Sequence, residues 1–513
     1  ILHERSLRSP NECAYTFLSG EPLEETAITY KDLDLKARSV AVYLQTIAHK
    51  GDRVLLLENS GIAFLLAFFG CLYAGLIAVP GYPPRRGRSV PALEGMATDA
   101  GAIAAFVNTE VIKNADVYLR QYPKLRSLQL VDIDAIGLKL ADEWVLPKFG
   151  RGVPAYLQYT SGSTSQPKGV IVNHDNLLCN LHHFKVAHDF TPESVMVSWL
   201  PPYHDMGLVL GLLQAVYTGF HCVFMGPATF AQKPIRWLQA ISDYKGTHSA
   251  APNFAYDLCA NSLTEENSKG LNLNNWVATV NGAEPVRATT IDRFTKAFEQ
   301  FGFRRQSLCP CYGLAEATLM VTFVSPVADA ANCWLDTKAL ARNRIKETTP
   351  DDPCGRVFVG CGNPPQGTCV VVVNPQSFTI CPADEIGEIW VRGATVAAGY
   401  WNNPSDTEST FGGYLVDTGE GNWLRTGDLG FLRWGELFLV GRRKEMIIIR
   451  GQNHYPQDIE LTVQGSHCAL QAYGGAAFSV GSEGEERLTV VQEVKRTALR
   501  KFPQEEICEC VQG

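Results

Sequence analysis

The chain of 513 residues is too long for one ordinary core and implies about three packed units. With 46% hydrophobic and 19% charged residues it has the make-up of a packed soluble protein, which excludes a disordered or fibrous chain. Its formal net charge is −8 and its basic stretches are short and scattered ("PPRRGRS", "GRRKE"), so nucleic acid is not expected as a partner.

The opening "ILHERSLRSPNE" lacks the continuous apolar core of a signal peptide. An amphipathic helix is expected in "TYKDLDLKARSVAVYLQTI", and a strand in "RVLLLE" at 53–58. The following "IAFLLAFFGCLYAGLIAVP" holds 18 uncharged residues before Pro80, the lower limit for a membrane span. Gly70 and Gly75 interrupt it, and the preceding strand favours a buried helix followed by a strand, with no transmembrane segment. Further strands are expected at 155–160, 194–200, 221–226, 276–284 and 388–393, with a helix in "TTIDRFTKAFEQFG". This alternation argues an α/β architecture with substantially parallel sheets. Residues 1–440 read as one large N-terminal domain, 441–446 as a linker, and 447–513 as a small α+β domain that looks cut short. Fifteen cysteines fall far below disulfide-scaffold density. None sits in a CxxC pair, and "CPC" and "CEC" have the wrong spacing for zinc, so they read as reduced thiols of a cytoplasmic protein.

"YTSGSTSQPKG" (159–169) follows one strand and precedes another, "GVIVN". Glycines let such a loop curl its N–H groups around one anion, while Ser161, Ser163, Thr164 and Lys168 add donors and charge. It is a polyphosphate cradle or a plain flexible loop. It is not the common P-loop, because Pro167 precedes Lys168.

"NGAEP" (281–285), "CYGLAEATL" (311–319), "GEIWVRG" (387–393), "RTGDLG" (425–430) and "GRRKEMIIIRG" (441–451) follow that loop. Their order and approximate spacing resemble those of the adenylate-forming enzymes: acyl and aryl CoA ligases, peptide-synthetase adenylation domains and luciferases. The resemblance covers about residues 155–460. It implies that Thr160, Ser161, Gly162, Ser163, Thr164 and Lys168 hold the β- and γ-phosphates of ATP, and that Glu316 is the carboxylate linked to Mg2+. It further implies that Gly282, Ala283 and Glu284 line the adenine, with Tyr312 and Gly313 against it. Asp428 would bind the ribose with Arg442, and Lys444 would mark the hinge. Cys311 stands where relatives often carry an amide or acid.

"WLPPYHDMGLVLGLLQAVYTG" (199–219) resembles the long-chain fatty acyl branch and lacks the "FDxS"-type aspartate with which amino-acid adenylating domains pair a substrate amine. His204 is then either a gate at the acyl tunnel or a hydrogen-bonded structural histidine. The wording "GYPPRRGRS … VGCGNPP … AAGYWNNPSDTESTF … GQNHYPQDIE" is closest to fatty acyl-AMP ligases. Glu316 lies 44 residues before Gly360, which resembles that family's insertion, here within 327–358. A surface loop also tolerates an extra stretch on the order of fifteen residues at low cost. The family's late "GK"-type lysine has no counterpart in this sequence.

The resemblance thus implies an ATP- and Mg2+-dependent ligase that activates medium- or long-chain fatty acids to acyl-adenylates. The acyl group would pass to an acyl carrier protein or a downstream polyketide synthase module, in polyketide or lipid biosynthesis. A fatty acyl-CoA ligase and a non-catalytic acyl-adenylate binding domain stay open as alternatives.

Overall fold

The computed structural model describes residues 1–84, 90–114, 119, 122–160, 167–449, 452–482, 485–501, 507–508 and 510–511. Two large sheets dominate. The six-stranded sheet runs Gln129–Val131, Ala104–Phe106, Arg53–Leu56, Ile77–Pro80, Pro154–Thr160, Lys168–Asn173, with only the last strand antiparallel. The eight-stranded sheet has six parallel inner strands, from Leu308–Gly313 to Cys13–Ser19, edged by the antiparallel Met320–Phe323 and Glu24–Thr29. Parallel sheets need both faces covered, and their strands here are accordingly mostly buried, with a few buried polar residues such as Gln158 and Asn281.

The membrane-like stretch is the buried helix Ile62–Ala74, ended by Gly75 in the left-handed region (φ 74°) and followed by the strand Ile77–Pro80. Gly70 has a packing reason. A Cβ there would lie 2.2 Å from Cγ1 of Val40 on the helix Tyr30–Ile47, so the two helices pack backbone to side chain. Gly70→Val should therefore destabilise the protein by up to about 3 kcal/mol, the upper end of ordinary overpacking costs. Thermal melting checks this, and an unchanged midpoint would show that the helix pair separates freely. Among the described residues no helix is long and apolar enough to cross a membrane.

The sequence pattern predicts substantially parallel sheets, and "EIWVRG" is one of the strands that lie outside them. It forms Gly387–Arg392 in a four-stranded antiparallel sheet with Cys369–Val373, Leu424–Arg433 and Glu436–Arg442. The tight turn at Trp434 and Gly435, both at positive φ, closes the last hairpin without room for a crossover helix. Gly441 and Arg442, at the start of the expected linker, still belong to this sheet.

Residues 327–358 are structured. They contain the strand Asn332–Asp336, the short helix Thr337–Leu340 and most of the strand Gly355–Val359, paired antiparallel with the first. Cys333, Leu335, Leu340 and Phe358 pack with Leu429, Phe431, Phe438 and Val440 of the four-stranded sheet and with Tyr455. The last part of the chain is α+β: a hairpin, the helix Pro456–Ser466, and the strands Leu470–Ser482 and Glu485–Val494.

Candidate active site

Thr160 and Lys168 face each other as register partners where the strands Pro154–Thr160 and Lys168–Asn173 part. Ser161, Gly162, Ser163 and Thr164, between them, lie outside the described residues. Lys168 Nζ sits 2.6 Å from Oδ2 of Asp406 and 5.2 Å from the ring centroid of Tyr400. The Tyr400 hydroxyl donates to Oε1 of Glu316 at 2.7 Å. Tyr400 thus carries the loop lysine on its ring and the carboxylate on its oxygen. Burial, reinforced by the Glu316 carboxylate, raises the phenol's pKa far above its ordinary value, so it stays a donor. Glu316 is half-buried in the turn Ala315–Ala317, and its backbone carbonyl accepts from the Ala397 N–H at 2.9 Å.

Beside this group lies a second one. Tyr312, buried at the end of the strand Leu308–Gly313, donates its hydroxyl to Oδ2 of Asp428 at 2.7 Å. Arg442, the register partner of Asp428, brings Nε to 3.4 Å from Oδ1. Burial pushes the Asp428 carboxyl up to about 6, against the opposing pull of the Tyr312 hydroxyl and Arg442. Glu388 braces the turn before it. This buried carboxylate accepts from the Gly427 N–H and faces Arg425 at 3.4 Å and Arg443 at 3.7 Å. Gly313 allows close backbone contact, since a Cβ there would meet the Leu319 carbonyl at 2.1 Å. Lys444 is exposed in the turn after Arg442.

The loop after the strand Ala278–Asn281 runs close against the neighbouring strand, where a Cβ on Gly282 would lie 3.0 Å from the Cys311 carbonyl. Ala283 follows, exposed and at φ 68°. Asn253 shapes this loop: its side chain accepts from the Arg287 N–H and Asn281 and donates to the Pro285 carbonyl. Glu284 is engaged with the start of the helix Asn253–Ser262, where its Oε1 accepts from the Phe254 N–H at 3.3 Å. It also lines a cavity of about 290 Å³ shared with Arg287, Glu460 and Tyr473. Burial raises its pKa. Gly282 and Ala283 are thus placed to offer backbone to a ligand, whereas the Glu284 side chain serves the junction with the last part of the chain.

His204 precedes the π-helix Met206–Leu213. Its Nδ1 lies 2.8 Å from Oδ1 of Asp205, and half of its side chain is exposed. Burial pulls its pKa down, and the Asp205 carboxylate pulls harder, leaving it above the ordinary value. Gln158, on the strand Pro154–Thr160, donates to the Tyr203 carbonyl at 2.8 Å and ties the histidine's loop to that strand. A Cβ on Gly207 would lie 2.1 Å from the Pro201 carbonyl, so the π-helix packs directly on the preceding loop.

The donor set suits Mg2+. That ion takes one or two protein carboxylates and fills its shell with phosphate oxygens and water. Glu316 offers such a carboxylate, with Oε1 fixed by Tyr400, and no cluster of three or more ligating side chains exists among the described residues.

Residues 2–401 match the AMP-binding enzyme family. The chain belongs to that family. It is 45% identical over 505 residues to the medium-chain-fatty-acid–[acyl-carrier-protein] ligase JamA of Moorena producens, covering 97% of this chain and 85% of the relative. It is 35% identical over 512 residues to the long-chain-fatty-acid–AMP ligase FadD26 of Mycobacterium marinum, covering 97% and 86%. The crystal structure of the fatty acyl-adenylate ligase of Legionella pneumophila in complex with acyl adenylate and pyrophosphate superposes with a TM-score of 0.84. Identity is 40%, over 99% of this chain and 88% of that one. The resemblance to fatty acyl-AMP ligases and the α/β fold read from the alternation of strand and helix patterns are both borne out.

Sequence reasoning did not single out Tyr400, Asp406, Gln158, Asn253 or Glu388. A signal for the first two was present in "AAGYWNNPSD", an aromatic ahead of a helix-capping Asn-Pro-x-Asp.

Proposed function

We propose that the chain activates medium- or long-chain fatty acids with ATP. The carboxylate oxygen attacks the α-phosphorus, the bond to pyrophosphate breaks, and an acyl-adenylate forms. A phosphopantetheine thiol of an acyl carrier protein or a downstream polyketide synthase module then takes the acyl group and AMP leaves. This chemistry belongs to polyketide or lipid biosynthesis in the cytoplasm.

The observation that carries the reading is the juxtaposition of the Lys168–Tyr400–Glu316 group with the Tyr312–Asp428–Arg442 group. The first is suited to polyphosphate and the second to a ribose diol, which a buried carboxylate can accept from twice. Lys168 and Thr160 hold the leaving phosphates, together with the loop between them. Asp428 and Arg442 fix the ribose, Gly282 and Ala283 border the base beside Tyr312, and Lys444 turns the chain toward the small domain. Glu316 holds Mg2+, which would neutralise phosphate charge. Rate enhancement then comes from positioning and charge stabilisation. His204 stands at the mouth of the acyl site.

The test is ATP–pyrophosphate exchange. Dodecanoate should stimulate it strongly and amino acids should not, because no acidic residue in 199–219 is free to pair with a substrate amine: Asp205 already faces His204. Stronger stimulation by any amino acid rejects the assignment. Supplying either coenzyme A or a holo carrier protein then separates the ligase proposed here from a fatty acyl-CoA ligase.

A further inference from the structure

Lys168, the lysine expected to hold phosphate oxygens, already rests on an anion. Asp406, 2.6 Å away, is built into the first turn of the helix Pro404–Phe411. Its N–H donates to Oδ1 of Asn403 and its Oδ2 accepts from Nδ2 of the same residue, both at 3.0 Å, so the capping side chain holds the carboxylate in place. The Tyr400 N–H donates to Thr407 Oγ1 at 2.9 Å, which fixes the ring under the ammonium to the same turn. The hydrogen bond from Lys168 keeps the Asp406 carboxyl below its ordinary pKa, and therefore charged.

We propose that Asp406 is an internal competitor for Lys168. Resting on the function proposed above, the inference is that phosphate oxygens must draw the ammonium away from Asp406 on binding, and that Asp406 takes it back as pyrophosphate leaves. No covalent step is involved. Asp406 is a positioning residue that acts through Lys168. The two side chains are 26% and 37% exposed, so the pair is weak enough to be displaced by a polyanion and strong enough to weaken that polyanion's hold. Such a competitor favours release of a product that would otherwise bind tightly to the same lysine.

The test is calorimetric titration of the 513-residue chain with sodium pyrophosphate at fixed Mg2+ and low salt. Asp406→Asn should bind pyrophosphate about two- to fivefold more tightly, the range set by displacing a partly exposed ion pair. The gain should vanish in the Lys168→Ala background and shrink with added salt. Glu408→Gln, an exposed acid on the same helix, should leave affinity unchanged. Asp406→Ser should reproduce the gain, so a folding defect in one variant leaves the other to decide. Unchanged or weaker binding by both Asp406 variants overturns the proposal, as does a gain that persists without Lys168. If the wild type shows fatty-acid-dependent exchange while neither variant gains affinity, this inference alone falls. A wild type that binds no pyrophosphate overturns the proposed function as well.

Discussion

Glu316→Gln should lower the rate of acyl-adenylate formation by about 10²–10³, the usual loss when one preorganised electrostatic group is removed. The melting temperature should hardly move. Glutamine keeps an oxygen for the Tyr400 hydroxyl, now 2.7 Å from Oε1, so the substitution deletes charge and leaves the local packing intact. The two side chains differ in charge, which is what holding Mg2+ against phosphate requires. The comparison needs thermal melting beside acyl-AMP yield at increasing Mg2+. Full yield at saturating Mg2+ would remove Glu316 from the machinery. A large fall in melting temperature would recast it as structural.

Asp428→Asn should raise KM for ATP roughly ten- to a hundredfold, because hydrogen bonds to a charged group are worth about 1.5–3 kcal/mol. The same residue sets a pH dependence. Its carboxyl is pushed up to about 6 by burial, above the ordinary carboxylate value. Below about pH 6 the folded protein protonates Asp428 and loses an acceptor for the ribose, so ATP affinity should weaken as pH falls. The asparagine variant should be flat over that window. Stability runs the other way. A raised carboxyl pKa means that the folded state keeps a proton the unfolded state has released, so this group's contribution is present at low pH and lost as pH rises toward 6. At pH 7 Asp428→Asn should melt no lower than wild type. A lower melting point there would show that Arg442 and Tyr312 stabilise the carboxylate more than burial costs it.

The parallel core was legible because its strands are short apolar runs bounded by turn residues, and its helices carry a clear period, as in Tyr30–Ile47. "EIWVRG" reads the same way whether it lies in a parallel or an antiparallel sheet. Only the hairpin through Trp434 and Gly435 decides that. For the site, local motifs bring Lys168, Glu316, Tyr312, Asp428 and Arg442 to notice, because each needs a glycine or turn beside it. Tyr400 also follows a glycine, Gly399 at φ 133°, but neither it nor Asp406 lies in one of those motifs. They act on residues far away in the chain, so their roles appear only when the strand Lys168–Asn173 and the turn at Ala397 meet. The π-helix at Met206–Leu213 was hidden as well. Its apolar run fits several helical pitches, so the sequence alone does not distinguish them.

The stretch 327–358 bears on how the molecule comes apart. Its Leu335, Leu340 and Phe358 share one apolar cluster with Tyr455, which lies beyond the proposed hinge. The backbone N–H of Asn453 donates to the Ala341 carbonyl, its side chain bonds Asn343, and Arg356 pairs with Asp458. Contacts therefore cross the bend at 441–446. The first residues after it are held to the four-stranded sheet and to 327–358 by these contacts, so opening there should cost their loss. Excising 327–358 would strip the cover from Phe431, Phe438 and Tyr455, each worth about 1.5–3 kcal/mol when buried, so an excised protein reports lost cohesion together with any change in acyl transfer.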